Sequence, residues 1–305
     1  MRTSLLLLAF SLAALVQTLR AQDRPRTAPP LPPGVHALRD LAYVANGHAL
    51  QKLDLYLPDT PDTGAPRPLI IWIHGGGWKM GDKRMCLAAR LVPQGYVVAS
   101  LNYRLSQDAV FPAQLEDCKA AVRWLRAHAA DYHLDPNRFA AWGSSAGGHL
   151  VALLGTTGKT REFDVGANLN ISSAVQCVVD YFGPADILSM SRMGAGQGQM
   201  DHDGPTSPEA QLLGGPVQQN AALARRASPT TYVQPGAPPF LIVHGDADTT
   251  VPMGQSQLLD EKLRAAGDSS TLHIVKGGGH GLRFGPDVYR LTEDFLKTHL
   301  KPPAP

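Results

Sequence analysis

The chain has 305 residues, of which 44% are hydrophobic and 18% are charged, with 28 basic and 26 acidic side chains. This composition supplies a large apolar core and argues against intrinsic disorder. A formal net charge of +2 argues against nucleic-acid binding, which needs many basic groups to neutralise phosphates. The three cysteines are too few for a disulfide scaffold, and their spacing matches no zinc or redox motif. They are Cys86, Cys118 and Cys177.

Residues 1–21 have the layout of a secretory signal peptide. Arg2 gives a positive start, residues 5–16 form an apolar run, and the small residue Ala21 precedes polar residues. We therefore expect cleavage after Ala21 and a secreted or periplasmic protein without stable membrane insertion afterwards. An uncleaved anchor is the alternative, because Leu19 is larger than a signal peptidase prefers.

Residues 22–40 are rich in proline and predict an extended tether. The catalytic domain is expected to comprise residues 41–305. It should open with two antiparallel strands, residues 41–44 and 53–56, around a turn at Asn46 and Gly47. Asparagine and glycine favour this turn because they tolerate the positive φ angles that a hairpin demands.

Six short apolar runs follow, and each is continuous enough to predict a strand that is buried on both faces. They are residues 69–73, 96–100, 139–142, 175–179, 240–243 and 272–275. Helical patterns lie between them, for example where Leu115, Val122 and Leu125 share one face. The alternation predicts an α/β fold with a mostly parallel, eight-stranded sheet and helices on both faces.

Residues 189–219 interrupt this alternation and are rich in glycine, methionine, glutamine and proline. We predict an irregular, lid-like excursion over the carboxyl ends of the strands, where open α/β sheets bind ligands. The glycines favour a mobile cover. Three methionines would offer it adaptable apolar contacts: Met190, Met193 and Met200.

The pattern Gly-Ser-Ser-Ala-Gly at residues 143–147 follows a predicted strand and opens a helical run. A nucleophile elbow needs glycine two places before and two places after its serine, because the turn is too sharp for side chains there. Ser145 has Gly143 and Gly147 at these positions, whereas Ser144 has no glycine at either. Ser145 is therefore the predicted nucleophile, and a plain structural turn is the alternative.

A run of three glycines lies in His74-Gly75-Gly76-Gly77-Trp78, directly after the first of the six predicted strands. Glycine leaves its backbone N–H group unshielded by a side chain. We therefore expect two of these N–H groups, together with the N–H of Ala146, to donate hydrogen bonds to the oxyanion of a tetrahedral intermediate. A phosphate-binding loop is the functional rival. It is disfavoured because no Lys-Ser/Thr pair or third spaced glycine opens a helix here.

A serine nucleophile also needs a histidine that takes its proton and an acid that orients the histidine. Asp246 and Asp248 come just after the strand at residues 240–243, and His280 follows the last strand. These are the strand ends at which such a sheet assembles its site. The order Ser145, Asp248, His280 is the one expected in α/β-hydrolases. No ligand spacing indicates a metal site, and His149 is expected to serve packing.

Taken together, these motifs resemble the α/β-hydrolase superfamily, specifically secreted carboxylesterases with an HGGGW motif. Within it they are similar to bifunctional acetylxylan/feruloyl esterases and hormone-sensitive-lipase-like esterases. The resemblance extends from about Leu41 to Leu300. Besides the motifs above it includes residues 54–58, 102–106, 111–113, 135–138 and 244–252.

The resemblance implies a role for each motif residue. Ser145 would be the nucleophile, His280 the general base and acid, and Asp248, rather than Asp246, the group that orients the imidazole. The oxyanion donors would be Gly76, Gly77 and Ala146. Trp78, Tyr103 and Tyr181 are further candidates for contact with the substrate.

The implied activity is a serine carboxylesterase without a cofactor, acting on short-chain or plant-cell-wall esters of the acetylxylan or feruloyl type. The partner would be a small-molecule or polysaccharide-linked ester. Three alternatives remain: a prolyl-oligopeptidase-like peptidase, an arylformamidase and a catalytically silent hydrolase fold used for binding. The peptidase is disfavoured because the residues before the first strand are too few for a propeller. The sequence does not determine the oligomeric state.

Overall fold

The computed structural model describes residues 29–60, 64–194, 200–282 and 284–300. The predicted signal peptide and its cleavage site lie outside these residues, as does the first part of the predicted tether. Within the described residues, Cys86, Cys118 and Cys177 are free thiols.

One sheet of eight strands organises the described chain in the order β1-β2-β4-β3-β5-β6-β7-β8. Strand β2 pairs antiparallel with β1 and with β4, and the remaining neighbours are parallel. This confirms the predicted α/β sheet. The strands are β1 (Val35–Ala42), β2 (Lys52–Pro58), β3 (Arg67–Ile73), β4 (Val97–Leu101), β5 (Leu134–Ser144), β6 (Cys177–Tyr181), β7 (Phe240–Gly245) and β8 (Ser270–Val275).

Strand β1 begins at Val35, six residues before the predicted start of the domain, so the tether does not extend to residue 40. Val35 pairs with Pro58 and Ala42 pairs with Lys52 across the β1–β2 ladder. Most side chains of β1 are exposed because it is an edge strand. An edge strand held by backbone pairing carries little apolar signal, which explains the wrong boundary.

Seven helices connect or follow the strands. They are α1 (Ala113–Ala127), α2 (Ala146–Thr156), α3 (Met190–Gly194), α4 (Pro208–Leu213), α5 (Ala221–Arg226), α6 (Gly254–Ala265) and α7 (Pro286–His299) in the described ranges. Short 3₁₀ turns lie at Leu87–Gln94, Ile187–Ser189, Val217–Asn220 and Pro229–Thr231.

Two hydrophobic clusters lie on opposite faces of the sheet, because successive side chains of a strand point to opposite sides. Ile71 of β3 packs in the cluster that contains buried residues of α1, α2 and α6. Its neighbours Ile70 and Trp72 pack in the cluster that contains Leu91, from the turn at Leu87–Gln94, and residues of α7. The predicted helices on both faces are therefore present, and β3 is buried on both sides.

Strand β8 departs from the prediction of burial on both faces. It is the last strand of the sheet, and the side chain of Ile274 is 43% exposed. The apolar character of residues 272–275 is that of a central strand, whereas their position at the edge is decided by the order in which the strands pair.

The predicted lid, residues 189–219, is partly helical and packed against the core in its described parts, which corrects the expectation of a wholly irregular segment. It contains α3, α4 and the turn at Val217–Asn220. Leu212 and Val217 are fully buried in the same cluster as α1 and α2, and the N–H of Phe111 donates to the Leu212 carbonyl at 2.8 Å. The cover is packed because these apolar side chains reach the core. Residues 195–199, which include two of the glycines on which the expected mobility rests, lie outside the described residues.

Candidate active site

Ser145 occupies a sharp turn between β5 and α2, with φ 56° and ψ −122°. A positive φ is uncommon for a residue with a side chain and marks local strain. A Cβ on Gly143 would collide with the Gly147 carbonyl, and a Cβ on Gly147 would collide with the Ile73 carbonyl. The two glycines are therefore needed for the steric reason that the sequence indicated.

Ser145, His280 and Asp248 are hydrogen-bonded in series. The distance from Ser145 Oγ to His280 Nε2 is 2.9 Å, and the distance from His280 Nδ1 to Asp248 Oδ2 is 2.7 Å. A carboxylate accepts but does not donate, so Nδ1 of the imidazole carries the proton. In the neutral ring the lone pair of Nε2 then faces the serine hydroxyl, which is the arrangement that removes its proton.

Asp248 lies at the end of β7 with 5% of its surface exposed. Its Oδ1 accepts hydrogen bonds from the N–H groups of Thr250 and Val251 at 2.8 and 2.9 Å. Burial alone would raise the pKa of this carboxyl. Hydrogen bonds from His244 and His280 outweigh burial and hold the pKa of Asp248 well below its ordinary value. Asp248 is therefore a carboxylate at neutral pH.

Asp246, the alternative acid, has a different position. It is exposed, and its Oδ1 accepts a hydrogen bond from the Gly277 N–H. Asp246 thus ties the loop after β7 to the loop after β8. The structure brings Asp248, and not Asp246, to the imidazole of His280.

Phe182 contacts the imidazole from the carboxyl end of β6 and was missed by sequence reasoning. The ring centres of Phe182 and His280 are 4.6 Å apart in an edge-to-face arrangement. This contact limits the rotation of the imidazole. The available signal was the position of Phe182 directly after a buried strand, as for Asp248 and His280.

The glycine-rich loop and the start of α2 face the same cavity as Ser145. Ala146 is the first residue of α2, and the first N–H groups of a helix have no partner within the helix. Gly76 and Gly77 have φ angles of 116° and 58°. A Cβ on Gly76 would also collide with the Met80 carbonyl. The loop therefore reaches this conformation because it consists of glycine.

Trp78 lines the cavity, but its ring is buried against His149. The indole Nε1 donates to His149 Nδ1 at 3.1 Å, and His149 Nε2 lies 2.6 Å from the Ala227 carbonyl. Burial lowers the pKa of His149 to about 4, so the ring is neutral and its Nδ1 can accept. His149 thus fixes the end of the glycine-rich loop, beyond the packing role expected of it.

Tyr103 and Tyr181 do not line the cavity, which corrects the expectation that they contact substrate. Both are fully buried. The Tyr103 hydroxyl donates to the His74 carbonyl at 3.0 Å, and the Tyr181 hydroxyl lies 2.7 Å from Thr292 Oγ1. Both side chains are buried in the core, so each can stabilise the residues around the site but cannot contact a substrate in the cavity.

The cavity beside Ser145 has a volume of about 400 Å³, within the range of small-molecule pockets. The thioether side chains of Met80 and Met200 line it and are exposed, whereas Met190 is buried in the core. Residues of the predicted lid also contribute to the wall, namely Met200, His202, Pro208 and Glu209. The excursion therefore does reach the site, and its polar residues His202 and Glu209 carried no sequence signal.

The described ranges contain neither a candidate metal site nor a candidate membrane-spanning helix. No cluster of three or more His, Cys, Asp or Glu side chains there has the geometry to hold a metal ion. None of the helices in those ranges combines the length and the apolar content needed to cross a bilayer.

Comparison with known proteins places this chain in a family. The family model BD-FAE matches residues 53–263. The chain belongs to the BD-FAE family. Esterase LipC of Mycobacterium tuberculosis is 29% identical to this family member over 293 residues, covering 88% of this chain and 69% of LipC. The chain spans between 51% and 69% of the lengths of three curated mycobacterial esterases that it matches.

Solved structures agree with the BD-FAE assignment. A truncated carbohydrate esterase from gut microbiota has a TM-score of 0.79 and 33% identity, covering 87% of this chain and 96% of that one. A bifunctional GH43-CE protein of Bacteroides eggerthii has a TM-score of 0.79 and 35% identity, covering 87% of this chain and 35% of that one. The predicted α/β-hydrolase fold and the ester hydrolase class are thereby confirmed.

Proposed function

We propose that the protein is a serine carboxylesterase that cleaves acyl esters of carbohydrates, such as acetylated or feruloylated xylan, through an acyl-enzyme. Ser145 is the nucleophile, His280 the general base and acid, and Asp248 the residue that orients the imidazole. The observation that carries this proposal is the hydrogen-bonded series from Ser145 Oγ through His280 to Asp248, with distances of 2.9 and 2.7 Å.

In the first half-reaction, Ser145 Oγ attacks the ester carbonyl carbon while Nε2 of His280 takes the hydroxyl proton. The negative charge on the carbonyl oxygen faces the N–H groups of Gly76, Gly77 and Ala146. The loss of one such donor typically costs about 3–4 kcal/mol of transition-state stabilisation. Collapse of the intermediate expels the alcohol, which receives its proton from Nε2.

In the second half-reaction, a water molecule attacks the acyl-enzyme and His280 repeats both proton transfers. The released acid and Ser145 restore the starting state. Asp248 stays ionised throughout because its hydrogen bonds hold its pKa low, so it stabilises the imidazolium that forms twice per cycle.

The carbohydrate side of the proposal is supported by similarity to the gut-microbiota carbohydrate esterase. The cavity volume of about 400 Å³ suits a short acyl group with part of a sugar. The proposed location, secreted or periplasmic, rests on the sequence pattern of residues 1–21. A polysaccharide substrate is consistent with such a location.

The proposal is tested by comparing Ser145→Ala with Ser144→Ala, since Ser144 is the neighbouring hydroxyl in the same cavity. We expect Ser145→Ala to abolish hydrolysis of nitrophenyl acetate, acetylxylan and methyl ferulate, and Ser144→Ala to retain a measurable fraction. An organophosphonate should label the peptide at Ser145. Labelling of Ser144, or undiminished turnover by Ser145→Ala, would disprove the assignment.

A further inference from the structure

His202 and Glu209 lie side by side in the wall of the cavity, and most polar atoms of their side chains have no hydrogen-bond partner among the described residues. His202 Nδ1 is 3.1 Å from Glu209 Oε1, and the two side chains are 1% and 4% exposed. Among the described residues, neither ring nitrogen of His202 and not Oε2 of Glu209 has a partner with hydrogen-bond geometry. Folded proteins satisfy roughly nine tenths or more of such buried groups, so this pair calls for an explanation.

The surrounding chain holds the pair in place. The Ser207 hydroxyl donates to the His202 carbonyl at 2.8 Å and accepts from the Ala210 N–H at 3.0 Å. The Ser191 hydroxyl accepts from the His202 N–H at 3.0 Å. These contacts connect α3 with residues 202–207 and with the start of α4. The two side chains are therefore fixed by their backbone rather than by hydrogen bonds of their own.

The helix that carries Glu209 also packs against the glycine-rich loop of the candidate active site. A Cβ on Gly77 would lie 3.1 Å from Cβ of Pro208, so Pro208 packs against the glycine-rich loop. Glu209 is the next residue, and both it and His202 line the cavity together with Ser145 and His280. The two residues whose polar atoms lack protein partners are thus part of the wall around the space that a substrate would fill.

We propose that His202 and Glu209 form a subsite that recognises a hydroxyl group of the ester substrate; this inference rests on the proposed esterase function. A hydroxyl group donates to the carboxylate of Glu209 and accepts from an N–H of the imidazole, so one group uses both partners. An ammonium group would satisfy the carboxylate alone. An apolar substituent would leave both groups buried and unpaired, so the subsite rejects it.

Two parts of an ester can supply this hydroxyl group. In the alcohol part it is a sugar hydroxyl next to the ester oxygen, and in the acyl part it is a phenolic hydroxyl of a cinnamoyl-type group. The shared chemistry is a neutral hydroxyl held inside the cavity. Matched substrates that differ by one hydroxyl distinguish the two sources.

The first experiment uses the unaltered protein and two substrate pairs. One pair is trans-2-hydroxycyclohexyl acetate with cyclohexyl acetate, and the other is methyl 4-coumarate with methyl cinnamate. We expect kcat/KM to favour the hydroxylated member of one pair by about tenfold or more, because sites built to bind a hydroxyl discriminate strongly against its absence. A preference in the first pair assigns the subsite to the alcohol part, and a preference in the second assigns it to the acyl part.

Equal kcat/KM values within both pairs would overturn the subsite while leaving the esterase intact. No hydrolysis of these four esters or of nitrophenyl acetate would instead overturn the proposed function. The two failures are therefore distinguishable without any variant.

The second experiment compares Glu209→Leu and Glu209→Gln with Glu261→Gln, an exposed glutamate on α6. We expect Glu209→Leu to remove the preference for the hydroxylated ester, Glu209→Gln to reduce it about threefold or more, and Glu261→Gln to retain it. If Glu209 were only a structural partner of His202, its replacement would lower Tm and scale all kcat/KM values together. An unchanged preference in a folded Glu209 variant would therefore overturn the subsite, and Glu209→Gln decides the question if Glu209→Leu does not fold.

Discussion

Oδ2 of Asp248 lies 2.7 Å from Nδ1 of His280, whereas Asp246, two residues earlier, bonds the Gly277 N–H instead. An amide in place of the Asp248 carboxylate would present the wrong hydrogen-bond partner and favour the wrong imidazole tautomer. We expect Asp248→Asn to lower kcat for nitrophenyl acetate by roughly 10⁴-fold. Asp246→Asn is the matched control and should cost less than about tenfold. Similar losses in both variants would contradict the assignment of the acid.

The glycine-rich loop leads to a second prediction. Gly76 has a φ angle of 116°, and a Cβ there would collide with the Met80 carbonyl. Gly76→Ala should therefore displace the donors of the loop and lower kcat by about 10²–10³-fold, the usual effect of losing one oxyanion donor. Gly64→Ala is the control, because Gly64 has open space around its Cβ position and should retain activity within a few fold. Full activity of Gly76→Ala would show that the loop does not supply these donors.

The packed cover over the cavity leads to a third prediction. Leu212 is fully buried, so Leu212→Ala should lower the free energy of unfolding by about 2–5 kcal/mol through lost burial and a cavity. Met200 is 44% exposed and lines the site, so Met200→Ala should change this free energy by less than about 0.5 kcal/mol. Urea unfolding measures both quantities.

The same two variants should differ in their activity profiles. Met200→Ala should alter the ratio of turnover of the acetyl and octanoyl nitrophenyl esters, because the Met200 thioether lines the cavity in which we expect the acyl chain to bind. A large loss of stability in Met200→Ala and none in Leu212→Ala would mean that the cover is not held by its helices.

Asp180 leads to a prediction of pH dependence. Burial raises the pKa of Asp180 from its ordinary value of 3.8 to about 7, although a hydrogen bond from the Gly183 N–H and the charge of His244 oppose the shift. Between about pH 4 and pH 7 the folded state binds more protons than the unfolded state. The free energy of unfolding contributed by Asp180 therefore falls as the pH rises through this window.

Asp180→Asn cannot ionise and should escape this loss. The free energy of unfolding of Asp180→Asn minus that of the unaltered protein should therefore be about 2–3 kcal/mol larger at pH 8 than at pH 5. Urea unfolding at the two pH values gives this difference. An equal difference between the two proteins at both pH values would show that the carboxyl of Asp180 does not titrate in this window.

The sequence was sufficient wherever the determining physics is local. Continuous apolar runs predicted β3 to β7, because a strand buried on both faces must be apolar throughout. Gly143 and Gly147 marked Ser145 because the collisions that exclude side chains there arise within the turn and with the adjacent β3. The positions of His280 and Asp248 after two strands followed from the rule that parallel strands end at one edge.

Other features were decided by the tertiary structure because they depend on partners distant in the chain. The sequence suggested that Tyr103 and Tyr181 contact the substrate. In the structure both are buried, and their hydroxyl groups bind the His74 carbonyl and Thr292 Oγ1, respectively. Likewise, β1 is a strand because β2 pairs with it. His202 and Glu209 belong to no motif, and they meet in the wall of the cavity because α4, which carries Glu209, packs against the core. Sequence patterns reflect interactions between residues that are close in the chain. Contacts between distant residues decide whether a side chain faces the core, the cavity or the solvent.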